Sequence, residues 1–523
     1  MADHWAAAVN GDEDEDEALR IAIALSLGED PDPALTYKGP HRPPDPPPSV
    51  TSGDKVIYAN LPSPSFPRGV VKKTWVSGQP RRGDDIKIEE VLQKDQLQLA
   101  VLSSYVWDEE WLLSKIDISR TKLMLVAYAA DEEMQEDMRA SVPGERIRFC
   151  FPPMHGHHTM HSKLMLLKFD KYIRIVVPTG NLVSYDWGET GDMENMVFII
   201  DLPKIQDSAE ATQGQKLTPF AEELFYFLGE QGLDDRLVAS LRRYDFSETS
   251  RYHFVHTISE EAWRRTGYCG LGRAVNALGL STSEPIDMDI VSASLGNLKD
   301  GFITAMYYAC QGDSGLKEYG LRYSRGQAKA TSEAFTQVKA HTRIFFPSEE
   351  TVRRSKAGDA GTICFQSSWW EALTFPRELL RECQNVRPGV LMHSKLIFVR
   401  PRHVAGGSAS SQARNFAYVG SANLSESAWG RLYKDPHSRK PKLTCRNWEC
   451  GVLVPVGEPT PAVDEKPGLA SDGGLGKEGT DSNELQAVFD GSVPVPMKWP
   501  GEAYVTEGAC GVAPRTPWFF RGR

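Results

Sequence analysis

His161-Ser162-Lys163-Leu164 opens an apolar strand that runs on to Thr179-Gly180-Asn181-Leu182 and, after four further residues, Trp187-Gly188. The same order returns as His393-Ser394-Lys395-Leu396, an apolar strand, Ser421-Ala422-Asn423-Leu424 and Trp429-Gly430. Asn181 lies 18 positions beyond Lys163 and Asn423 lies 28 beyond Lys395, and a Gly/Ser-rich insertion at 402–414 accounts for the difference. A third element recurs, an acid ahead of an apolar strand: Glu194-Asn-Met-Val-Phe-Ile against Glu449-Cys-Gly-Val-Leu-Val. A repeat of this length means one fold built twice.

The repeated residue types point to phosphoryl chemistry. Residues two apart on a strand project to one face, so each His and Lys reach the same side. Asn181 and Asn423 end the next strand in a turn from which an amide reaches the same point. Two facing copies collect two imidazoles, two ammonium groups and two amides around one anion. The lysines and asparagines can carry charge on non-bridging oxygens. One imidazole can attack phosphorus while the other protonates the leaving oxygen and then activates water. Glu449, and Glu194 by the internal match, can accept Nδ1–H from the histidines and set their tautomers. A lone His-x-Lys is as readily an ordinary strand histidine; two copies with shared flanks are not.

Around the repeat, apolar runs at Leu97–Leu102, Lys122–Tyr128, Ile173–Val177, Arg343–Phe346, Phe416–Val419 and Val452–Val456 read as buried strands. Helical patterns at Asp108–Ile116 and Phe220–Leu228 lie between them. The expectation is an α/β fold of two α/β/α sandwich halves related by a pseudo-two-fold, 86–243 and 244–523, the second interrupted at 402–414 and 457–484. Residues 31–85, rich in proline, read as a linker, and the N-terminal tail as disordered.

The net charge of −11 is unevenly spread. Residues 1–36 hold ten acids against Arg20, and 457–484 hold seven acids against two lysines, so the rest of the chain carries three more bases than acids. A phosphate-binding groove is therefore compatible with the composition. Eight cysteines are scattered without a close CxxC pair, which fits a reducing, intracellular setting and neither a zinc knuckle nor a disulfide framework. No apolar run is long enough to cross a bilayer, and the acidic start is unlike a secretory signal. His155, His157, His158 and His161 lack the acids or cysteines at ligand spacing that a metal site uses, so no cofactor or metal is expected.

These residues resemble the phospholipase D superfamily and, more narrowly, the tyrosyl-DNA phosphodiesterase family, in a fungal-type form. Superfamily members commonly carry an Asp a few positions beyond the Lys, whereas Lys168 and Arg400 stand there in this chain. The resemblance runs from about Ile86 to the end and takes in Ser103-Ser104-Tyr105, Ser292–Leu298, Phe346-Pro347-Ser348 and Pro517-Trp518. It implies cleavage of the bond between a DNA 3′-phosphate and the tyrosine of a stalled type IB topoisomerase, by a nuclear monomer. It further implies His161 as nucleophile, His393 as general acid and then base, Lys163, Lys395, Asn181 and Asn423 as phosphate ligands, and Glu449 as the support of one histidine. For the other histidine, Asp192 and Glu194 are both available, and the repeat favours Glu194. Ser294 matches a DNA-contacting serine and Tyr105 a residue lining the cleft. Competing readings are a general nuclease or phospholipase of the superfamily, and a ubiquitin-binding scaffold with an inactive domain.

Asp12–Glu29 resembles a ubiquitin-interacting motif, with an acidic run followed by Leu19, Ala22, Ile23 and Ser26 on a short helix spanning 12–30. Small Ala22 would allow close approach, with Leu19 and Ile23 as apolar flanks; a solvated acidic tail is the plainer alternative. Lys72-Lys73 and Arg81-Arg82 could form a split nuclear-import signal or a plain surface.

Overall fold

The computed structural model describes residues 64–154, 158–205, 216–258, 263–324, 327–402, 414–456, 484–504 and 515–519. The helix expected at 12–30, the linker as far as residue 63, His155, His157 and most of the two insertions lie outside the described residues. Among the described residues, no helix is long and apolar enough to cross a membrane.

The strands of the first half are β1 (Val70–Thr74), β2 (Asp85–Ile86), β3 (Leu99–Ser103), β4 (Lys122–Val126), β5 (Ile147–Cys150), β6 (Thr159–Met160), β7 (Leu164–Lys168), β8 (Tyr172–Pro178), β9 (Met193–Glu194) and β10 (Met196–Pro203). Those of the second are β11 (His253–Thr257), β12 (Ile286–Val291), β13 (Thr342–Phe346), β14 (Leu380–Glu382), β15 (Leu391–Met392), β16 (Leu396–Pro401), β17 (Phe416–Gly420), β18 (Arg431–Lys434), β19 (Pro441–Thr444) and β20 (Asn447–Pro455). The first sheet runs β2-β1-β10-β8-β7-β3-β4-β5 and the second β11-β20-β17-β16-β12-β13-β14. The six strands β10-β8-β7-β3-β4-β5 thus have counterparts, in order, in β20-β17-β16-β12-β13-β14. Directions agree as well: β3-β4-β5 and β12-β13-β14 are parallel, and the remaining matched pairs are antiparallel. The duplication read in the motifs is therefore a duplication of whole sheets.

The central strands are rich in β-branched residues and buried on both faces, which is why their sequence reads as continuous apolar runs rather than alternation. One apolar layer lies between the sheets. It takes Leu164, Leu166, Ile175, Val177, Phe198 and Ile200 from the first half, and Leu396, Phe398, Val419, Cys450 and Val452 from the second. The helix Pro219–Glu230, capped by the Thr218 hydroxyl and started by a proline at its first turn, fills the same layer with Phe220, Leu224 and Phe227. Separate clusters cover the outer faces of the two sheets. Buried charge is paired: the Arg174 guanidinium on β8 meets Asp201 on the neighbouring β10 at 2.7 and 3.0 Å, a bidentate pair.

Folded structure begins earlier than the expected start at Ile86. Val70–Thr74 pairs with β10 and lies in the first sheet, inside the stretch read as linker. Gly and Pro on both sides of this five-residue strand mask it in the sequence. One basic pair read as an import signal lies in this strand, with Lys73 buried beside Asp84 at 2.7 Å, and in the other pair Arg81 is held by Asp85 and Glu90.

Candidate active site

Each half lends a two-residue strand to the other. β6 pairs in parallel with the start of β20, and β15 pairs in parallel with β9. The residue after each short strand is a motif histidine. His161 N–H accordingly donates to the Trp448 carbonyl at 3.1 Å, and His393 N–H to the Glu194 carbonyl at 3.1 Å. Each histidine is carried by one half and fixed by the backbone of the other.

Their side chains are crossed in the same way. His161 Nδ1 lies 2.9 Å from Glu449 Oε2, and His393 Nδ1 lies 3.0 and 3.1 Å from the two oxygens of Asp186. Nδ1 is thereby the protonated nitrogen of each ring, and Nε2 is left to react. The Ser421 hydroxyl and Asn447 Nδ2 also donate to Glu449; Asn181 N–H (2.6 Å) and Asn195 Nδ2 (3.0 Å) donate to Asp186. Both carboxylates are buried. Burial works against their charge, but the facing histidine, a lysine and these donors outweigh it and hold both below the usual carboxylate range.

Lys163 and Lys395 are fully buried and each donates to the carbonyl of its own histidine, at 2.7 and 2.6 Å. Lys395 reaches across to the Thr179 carbonyl at 3.1 Å. Burial pushes Lys163 down to about 8 and Lys395 well below its ordinary value, and the charge of Lys163 adds to the depression of Lys395. Burial likewise pushes both histidines down to about 4; the facing carboxylate opposes this, while the positive charges of both lysines add to it at each ring. Each ring thus senses the lysine of the other half as well as its own. A phosphodiester bound there would set its negative charge against both lysines and both rings and raise the histidines towards their working range.

The asparagines are oriented alike. Asn181 Oδ1 accepts the Val106 N–H at 3.3 Å and Asn423 Oδ1 the Ser294 N–H at 3.0 Å, which leaves each Nδ2 as donor. Ser104 and Ser292 brace the following leucines identically, accepting the N–H of Leu182 and of Leu424 at 2.9 Å. The Trp187 indole closes the first turn on the Asn181 carbonyl at 3.1 Å. Gly188 and Gly430, which follow the two tryptophans, have φ of +74° and +81°; a Cβ on Gly188 would lie 1.8 Å from the Trp75 carbonyl. The Trp-Gly part of the repeat is therefore a turn requirement rather than chemistry. The Tyr105 ring lies 5.1 Å from that of His161, and Ser294, part-buried, borders Asn423. Leu19, Ala22, Ile23 and Ser26 lie outside the described residues.

Glu194 does not reach a histidine. Its side chain points to Arg387 at 2.6 Å, and only its carbonyl touches His393. Asp192 turns instead to the Thr190 hydroxyl. The reason is one residue of register. Thr179 N–H bonds the Met196 carbonyl as Ser421 N–H bonds that of Cys450, so Met196 matches Cys450, and the counterpart of Glu449 is Asn195, not Glu194. A shift of one residue turns a strand side chain to the opposite face. Asn195 keeps the place of Glu449 beside Thr179 Oγ1 (2.9 Å) but carries no charge. Asp186 supplies the carboxylate, and Asn195 holds it. Sequence reading passed over Asp186 because it falls within the four unconstrained positions between Leu182 and Trp187; the signal was an acid in the first copy where Ala428 stands in the second.

Two pseudo-symmetric α/β halves meeting on paired His-Lys-Asn sets define a member of the phospholipase D superfamily. The family model for tyrosyl-DNA phosphodiesterase matches residues 70–505, and the chain belongs to that family. Tyrosyl-DNA phosphodiesterase 1 of Arabidopsis thaliana is 23% identical over an alignment of 408 residues that covers 70% of this chain and 58% of that protein, so the match spans less than two thirds of the plant relative. The Saccharomyces cerevisiae protein of the same name is 22% identical over 409 residues, 71% of each. The crystal structure of the yeast tyrosyl-DNA phosphodiesterase has the same fold, with a TM-score of 0.54 at 18% identity over 74% of this chain and 90% of that one. A mutant crystal structure of the yeast protein gives 0.57 at 18% identity, over 84% and 97%.

Proposed function

We propose that this chain hydrolyses the phosphodiester linking a DNA 3′ end to a tyrosine, the linkage left by a stalled type IB topoisomerase, and releases a 3′-phosphate for repair in the nucleus. The observation that carries this reading is the crossed pair of imidazoles, each with Nδ1 tied to a carboxylate of the opposite half and both beside two buried lysines.

In the proposed sequence, Lys163, Lys395 and the Nδ2 groups of Asn181 and Asn423 bind the non-bridging oxygens. His161 Nε2, neutral because burial depresses it, attacks phosphorus; the P–O bond to tyrosine breaks and His393 Nε2 gives the phenolate its proton. Glu449 takes up the positive charge that forms on His161. His393, now neutral, removes a proton from water, which displaces His161 from the phosphohistidine. Asp186 holds His393 in the tautomer both steps need. Tyr105 beside His161 and Ser294 beside Asn423 are the first candidates for contacts to the nucleic acid. Residues 12–30 are proposed to bind ubiquitin, and the fungal-type affiliation rests on the sequence resemblance alone.

A 3′-phosphotyrosyl oligonucleotide incubated in EDTA tests the reading. Wild type should yield the 3′-phosphate product and His161→Ala should yield none. No cleavage by wild type, or equal cleavage by both, would reject it.

A further inference from the structure

We infer that Arg387 and Glu194 form a positioning latch for His393 alone, a role that rests on the two-histidine reading above. Arg387 stands six residues before His393, on the segment that leads into β15. It belongs to the second half, yet every group it grips belongs to the first. Nη1 donates to Glu194 Oε2 at 2.6 Å and to the Thr74 carbonyl at 2.9 Å, and Nη2 donates to Asp85 Oδ2 at 3.1 Å. The guanidinium is 5% exposed, and both carboxylates are 0% exposed. Next along the chain, Leu391 N–H bonds the Asp192 carbonyl (2.8 Å) and His393 N–H bonds that of Glu194. Glu194 therefore works at both ends of the latch: its side chain anchors Arg387, and its carbonyl fixes the His393 backbone.

The pseudo-symmetric place in the other half shows what is special here. There the carbonyl that receives His161 N–H belongs to Trp448, whose side chain sits in the apolar layer 6.4 Å from the Phe227 ring. His161 is held by packing, His393 by a buried ion cluster. Groups held by charge respond to charge. Burial raises Glu194 to about 7, with Arg387 and then Lys73 opposing it and Asp84 adding to it; Asp85, Arg81 and Asn385 complete the surroundings. Protonation of Glu194 removes the anion that Arg387 grips, so the latch loosens as pH falls through about 7.

The two histidines serve different steps, so the latch can be tested by step. Single-turnover reactions with a 3′-(p-nitrophenyl phosphate) oligonucleotide, whose leaving group needs no acid, separate attack by His161 from hydrolysis by His393. Arg387→Met should leave attack within about twofold of wild type, slow hydrolysis by roughly 10- to 100-fold as a displaced imidazole would, and let a covalent DNA adduct build up as in His393→Ala. Arg387→Lys, which keeps one arm of the contact, should recover part of the hydrolysis rate. Glu194→Gln, the milder change if Arg387→Met does not fold, should slow hydrolysis above pH 7, where Glu194 of the wild type is charged. Equal slowing of both steps, or no adduct in any variant when His393→Ala gives one, would overturn the latch. A second readout needs no turnover. In the unliganded protein, ¹⁵N-histidine spectra of Glu194→Gln and Arg387→Lys should show the His393 titration moving up towards its ordinary value, with that of His161 unchanged. Movement of both or of neither overturns the inference, whereas an inactive wild type rejects only the assigned reaction.

Discussion

Asp186→Asn is the substitution whose effect follows most directly from the crossed geometry. Three donors converge on this carboxylate: His393 Nδ1–H, the Asn181 N–H and Asn195 Nδ2. An asparagine can offer oxygen to some of them, but its own NH2 must then face another donor in a fully buried place. A buried donor left without an acceptor costs about 1–3 kcal/mol. Loss of the anion removes a further stabilisation of protonated His393, about 1.4 kcal/mol for each pKa unit by which the carboxylate supports it. Together these amount to roughly 2–4 kcal/mol, or about 30- to 1,000-fold, placed on the steps that use His393. Rapid-quench kinetics with the p-nitrophenyl ester should show attack little changed, hydrolysis slowed by that factor, and an adduct accumulating. Glu449→Gln, facing the Ser421 hydroxyl, Asn447 Nδ2 and His161, has the same donor conflict on the other histidine. It should slow attack by a similar factor and accumulate nothing. An adduct in Glu449→Gln but not in Asp186→Asn would show that the carboxylates serve the opposite roles.

The remaining predictions concern charge and packing. Because burial pushes His161 down to about 4, kcat/KM for the p-nitrophenyl ester should stay level as pH falls through 6.5 and drop only near 4, where the nucleophile protonates; a midpoint near 6.5 would contradict the burial argument. Asn423→Asp places an anion where Nδ2 faces the phosphate, so KM should rise by about 100-fold or more with little change in melting temperature, while an unchanged KM would remove Asn423 from the phosphate site. Trp448→Ala empties a buried indole site in the apolar layer and should cost about 3–5 kcal/mol in chemical denaturation, with attack impaired more than hydrolysis because His161 N–H rests on that strand.

Much of this arrangement was legible in the chain itself. His-Ser-Lys-Leu and Asn-Leu-x4-Trp-Gly recur because two sheets of equal order need the same residues at the same strand ends, and the buried strands around them are continuous apolar runs. What escaped reading has identifiable physical causes. The acid-before-strand match aligned Glu194 with Glu449 on residue type, and only hydrogen-bond register reveals the offset of one that puts Asn195 in that place. Asp186 was hidden in a turn whose other positions vary freely, and its function depends on Asn195, nine residues away. Arg387 carries no local signature at all; its meaning lies in Thr74, Asp85 and Glu194, each more than 190 residues distant in sequence. The crossing of β6 and β15 between halves is a property of the assembled pair of sheets, which no single strand announces.

The central claim is that the two halves close on one phosphorus with His161 attacking and His393 completing the cycle. The most direct measurement is to react His393→Ala with a 3′-(p-nitrophenyl phosphate) oligonucleotide in EDTA, digest the protein and locate the DNA-bearing peptide by mass spectrometry. The account predicts a stable adduct on His161. An adduct on any other residue, or full turnover by this variant with no adduct, would contradict it.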